Sequence, residues 1–82
     1  IAVSSMPRKV FNWTFHDVVD FLKQHNFRLN HTEGSHHFYT GIYGGKLMQV
    51  CVPFHSAKTF KPRTLKGMIA QSGIPKEKWL NY

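Results

Sequence analysis

The chain contains one cysteine and only four acidic residues in 82 positions, and no long hydrophobic run. A lone thiol, Cys51, cannot form an internal disulfide, so the fold must rest on its core, which fits a reducing cytoplasm. No apolar stretch approaches the ~20 residues needed to span a bilayer. Val50-Cys51-Val52-Pro53-Phe54 is a core strand at most, and no membrane role is expected. A secretory signal is not visible at the start. Ile1 to Ser5 precede Met6 and read as a non-native lead-in, with Met6 as the natural start. The length allows one small domain, of a size that buries only about 60% of its unfolded surface, with no second domain to house a large cofactor. No cofactor is expected. At 41% hydrophobic, 15% aromatic and 18% charged, the composition is that of a globular chain and argues against disorder.

The scarcity of acids is also uneven. Asp17, Asp20, Glu33 and Glu77 are the only ones, so residues 34–76 carry Lys46, Lys58, Lys61, Arg63 and Lys66 without a single carboxylate. Scattered solubilising lysines are the plain explanation. A formal net charge of +7 concentrated in an acid-free segment points instead to an electrostatic footprint for phosphate, on nucleic acid, or for an acidic protein.

Thr14-Phe15-His16-Asp17 reads as a helix start, with threonine as N-cap and an acid at the third position. Phe15, Val18, Val19 and Leu22 recur on one helical face with Phe21 on its margin, and Asn26 suits a left-handed cap, so a helix is expected at about residues 15–25. Residues 27–31 alternate as a half-buried strand does, and Thr32-Glu33-Gly34 makes a tight turn. A second strand is expected at about residues 35–40, a reversal at Gly41 and Gly44-Gly45, and a third strand at 47–52 stopped by Pro53. A basic loop leads to Pro62, placed for the first turn of a helix whose stripe is Leu65, Met68 and Ile69 and whose cap is Gly73. Trp79 and Leu80 form a short last turn against the core. The expected fold is α+β, in the order α-β-β-β-α, with a three-stranded antiparallel sheet and two helices on one face. Residues 1–13 are a flexible leading segment and 14–82 a single domain.

Six histidines stand in this small chain, two of them adjacent after a turn glycine: Gly34-Ser35-His36-His37-Phe38-Tyr39. Imidazole exchanges protons near neutral pH, and beside positive charge it suits phosphate-ester chemistry on RNA. Strand neighbours point to opposite faces, so only one of His36 and His37 can lie on an open surface. His36 is expected to be that residue, with His37 supporting. The plainer reading is that His36 only ends the turn with a backbone hydrogen bond. His55 either supplies a second proton-transfer group or braces its loop; His16, His25 and His31 read as bystanders. Adjacent histidines that point apart and a single cysteine give no paired ligand spacing, so no metal site is expected. Lys58, Lys61, Arg63 and Lys66 gather at the start of the second helix, whose free N–H groups already favour an anion. Phe38, Tyr39, Tyr43 and Phe60 could stack on unpaired bases, with Tyr43 the most exposed by sequence, although strand aromatics are more often core. Cys51 reads as an inert core residue.

Gly34-Ser35-His36-His37, Val52-Pro53-Phe54-His55, Lys61-Pro62-Arg63-Thr64-Leu65-Lys66 and Gln71-Ser72-Gly73-Ile74-Pro75, in this order, resemble the HicA (YcfA-like) family of RNA-cleaving toxins of bacterial toxin–antitoxin pairs. The resemblance implies a double-stranded-RNA-binding-like fold, metal-independent endonucleolytic cleavage of mRNA, and a HicB-like antitoxin partner. It places the catalytic histidine at His36, or at His37 where some members carry it one residue later; Ser35 and His55 are read beside it as supporting candidates. Two departures stand out. Asn26 replaces a usual glycine after the first helix, and the glycine hairpin at 41–45 replaces a proline-containing one. The alternative function is a non-catalytic RNA-binding module of the same fold. A free monomer is expected in either case.

Overall fold

The computed structural model describes residues 12–54 and 58–82. Helix α1 spans Phe15–Gln24 and opens with a full capping box: the Thr14 hydroxyl accepts from the Asp17 N–H at 3.2 Å, and the Thr14 N–H donates to Asp17 Oδ2 at 2.9 Å. Three strands follow, β1 (Arg28–Glu33), β2 (His36–Tyr43) and β3 (Lys46–Pro53), paired antiparallel in the order β1-β2-β3. Helix α2 (Pro62–Ser72) starts with Pro62, whose missing donor costs nothing at the first helical position, and ends at Gly73 with φ 74. A short α3 (Lys76–Leu80) follows. The α-β-β-β-α order and the open three-stranded sheet are those expected from the sequence.

Alternation sorts the sheet into two faces. Tyr39, Val50 and Val52 are buried under the helices together with Phe15, Val18, Val19, Leu22, Leu65, Met68 and Ile69. Trp13, read from the sequence as the end of a leading segment, is fully buried; residues 1–11 lie outside the described residues. Phe21 is not marginal either. It is buried because α3 and the C-terminus cover α1 from a second side: its ring stacks on Trp79 at 4.2 Å and meets Trp13 and Tyr82 edge-on.

Three local readings are corrected. Gly41 does not belong to a reversal but sits inside β2, where a side chain would collide with the Phe27 ring at 2.6 Å. The reversal itself is the pair Gly44 and Gly45, both at positive φ. The first strand runs to Glu33, not His31, and its alternation breaks at Asn30, where the register shifts between Leu29 and His31. Cys51 is half-exposed on the helix-free face, and its backbone N–H donates to Gln71 Oε1 of α2 at 2.9 Å.

Candidate active site and cationic surface

The β1–β2 hairpin is closed by the pair Glu33 and His36, with Gly34 at φ 60 and Ser35 between them. A positive φ at the first turn position is what glycine supplies without steric cost. The turn is tied to the end of β3, since the Phe54 N–H donates to the Ser35 carbonyl at 2.7 Å. His36 therefore starts β2, opposite Pro53 on one side and Glu33 on the other.

One residue later the environment inverts. His37 pairs with Val52, which is fully buried, so it faces the helices. Its ring lies 5.0 Å from Phe15 and 6.1 Å from Phe54, and it is half-buried. His36 is exposed on the helix-free face. The two imidazoles thus divide as the strand period requires, one to solvent and one to a packed aromatic corner.

The same corner holds the start of α1 and the approach to α2. Thr59 bridges to Thr14, and the Phe60 N–H donates to the Trp13 carbonyl at 2.7 Å. Lys58, Thr59, Lys61 and Thr64 line an open depression of about 380 Å³. Lys61 occupies the N-cap of α2 without a side-chain cap bond, and the first turn holds no acid. The leading N–H groups of α2 keep their positive potential, next to exposed Lys61, Arg63 and Lys66. Lys46 does not join them. It closes the opposite hairpin with Tyr43, roughly 23 Å along β3 from Pro53 at ~3.3 Å per residue. His55 lies outside the described residues.

The aromatic candidates are redistributed. Tyr39 and Phe60 are core, and Tyr43 packs partly buried against it, so Tyr43 is not the exposed stacking ring. Phe38 is on the helix-free face with the His31 ring stacked on it, 4.5 Å away and 10° from parallel. Burial and, secondarily, the charge of Glu33 push the Cys51 thiol up from its ordinary value; Glu33 lies on the same face by its pairing with His36. The sequence pattern alone assigned no part to His31 or Glu33, because the register shift that turns them to this face leaves no local signature. A larger depression of about 590 Å³, between the end of α1 and α3, is lined by Phe21, His25, Glu77 and Tyr82 among others and contains none of the candidate residues. Among the described residues, no group of three His, Cys, Asp or Glu side chains converges to hold a metal ion, and no helix is long and apolar enough to cross a membrane.

Among the described residues the chain is an α-β-β-β-α domain with its long helices on one face of the sheet and a cationic start to its second helix. The sequence model of the family described as the HicA toxin of bacterial toxin–antitoxin systems matches residues 15–74, most of the domain, and the chain belongs to that family. Membership makes it a toxin-type component and implies a cognate antitoxin. No curated protein and no solved structure matches the chain.

Proposed function

We propose that the chain is a metal-independent endoribonuclease, an mRNA interferase, in which His36 works on the ribose 2′-hydroxyl. The supporting observation is the placement of His36: an exposed imidazole on the open sheet face, fixed by a hairpin bonded to the end of β3, at the end of the molecule where the α2 start gathers its lysines. His36 takes the 2′-hydroxyl proton as that oxygen attacks the adjacent phosphorus in line. The bond from phosphorus to the 5′-oxygen breaks, and that oxygen leaves with a proton supplied by water or a second acid. The products are a 2′,3′-cyclic phosphate and a 5′-hydroxyl. Lys58 and Lys61, with Arg63 and Lys66 along α2, hold the phosphate backbone and offset charge developing on its oxygens. His37 supports the site by packing the strand start against Phe15 and Phe54.

A HicB-like antitoxin of acidic character would neutralise the activity by covering the His36 face and the cationic helix start, and the setting is the cytoplasm. Purified protein incubated with single-stranded RNA in excess EDTA should cleave it, and His36→Ala should lower the rate by about 10²–10⁴-fold, the usual worth of one placed proton-transfer group. Binding of RNA with no cleavage by the unaltered chain would leave a non-catalytic RNA-binding module in its place.

A further inference from the structure

The bulge at Asn30 has a consequence for the open face. Regular alternation from Arg28, which pairs with Thr40, would turn His31 and Glu33 toward the helices. The extra residue reverses this, so that His31 pairs with Phe38, and Glu33 with His36, on the helix-free face. His31 is then bonded at one ring nitrogen and turns the other toward a carboxylate. The Asn30 amide donates to Nδ1 at 3.0 Å, which leaves Nε2 to carry its proton toward Glu33 Oε2, 3.4 Å away. Its ring lies parallel on Phe38, and the side chain remains 41% exposed. A surface imidazole oriented in this way is a pre-ordered flat platform.

We propose that the His31–Phe38 stack is a subsite for an unpaired nucleobase next to the phosphate that meets His36. Phe38 follows His36 on the same face of β2, ~7 Å along the strand, so a base can lie on the platform while the neighbouring phosphate reaches the imidazole. Glu33 is the only carboxylate between Asp20 and Glu77. The acid-free α2 start takes the phosphate backbone, which leaves the platform to the uncharged base. The subsite rests on the RNA-cleaving reading and adds a base-stacking position to it.

The test uses single-stranded RNA with 2′-O-methyl riboses throughout, which cannot be cleaved, and a set of the same probe lacking one base at a time, with binding read by fluorescence anisotropy. His31→Ala should weaken binding of the intact probe by about 5- to 150-fold, the range for loss of one stacked base. For one abasic probe, wild type and His31→Ala should bind alike, and His31→Phe, a ring without nitrogens, should restore most of the affinity for the intact probe. Unchanged binding by His31→Ala, an equal loss on every abasic probe, or no rescue by phenylalanine would overturn the subsite. Cleavage of ordinary RNA that still depends on His36 would then show that only the subsite had failed. A wild-type chain that binds no RNA would remove both.

Discussion

At the scale of single residues, the histidine pair separates chemistry from packing. His37 sits among Phe15 and Phe54 on the helix side, so its ring matters more than its nitrogens. His37→Phe should keep cleavage well above the ~10²-fold loss expected on removing a proton-transfer group. His37→Ala should cost about 1 kcal/mol of stability by removing a ring from this aromatic corner, read by thermal or denaturant unfolding. A His37→Phe variant as inactive as His36→Ala would move the chemistry to the buried side of the strand. Cys51 reports on the same face as His36. Its thiol is pushed up by burial and by the negative charge of Glu33, so the thiolate is scarce. Glu33→Gln removes the second cause and should speed alkylation by iodoacetamide at mildly alkaline pH, in a chain where no other thiol competes. An unchanged rate would mean that Glu33 does not lean over the sheet.

Among the elements, the hairpins and α1 carry the fold's sharpest demands. Gly41→Ala would bring a methyl group to 2.6 Å from ring carbons of Phe27 and 3.0 Å from its Cα, and backbone cannot swing aside as a side-chain tip can. The expected loss is about 1–3 kcal/mol, which in a domain of this size lowers Tm by roughly 4–8 °C per kcal/mol. Thr14→Ala, which dismantles the capping box, should cost about 1 kcal/mol by the same measurement. These two sites also show what a sequence can and cannot disclose. The capping box is local, a threonine and an acid three residues apart, and α1 was legible for that reason. The division of His36 from His37 followed from the two-residue strand period. Gly41 was not legible, because glycine marks a turn and a close approach with the same letter, and only the packing of Phe27 decides between them. The bulge at Asn30 depends on pairing with β2, so the open-face roles of His31 and Glu33 were hidden. Phe21 looked marginal only because its second cover, Trp79 and Tyr82, comes from the far end of the chain.

Over the whole molecule, charge and shape act together. The helices cover one sheet face, and the net charge of +7 draws a polyanion toward a surface where the α2 start is free of acids. Lys61→Ala combined with Arg63→Ala should weaken RNA binding and reduce the slope of log affinity against log salt by about 0.7 for each phosphate no longer neutralised. An unaltered slope would mean that the phosphates are held elsewhere. Lys46, at the opposite hairpin, should contribute less than either when changed to alanine. The central claim, however, concerns the attacking atom, and the ends of the cleaved RNA test it most directly. Cleavage in EDTA should leave 2′,3′-cyclic phosphate and 5′-hydroxyl termini, and a 2′-O-methyl ribose at the cleavage position should block the reaction there. Fragments ending in 3′-hydroxyl and 5′-phosphate would show that water, not the ribose oxygen, had attacked, and would contradict the mechanism.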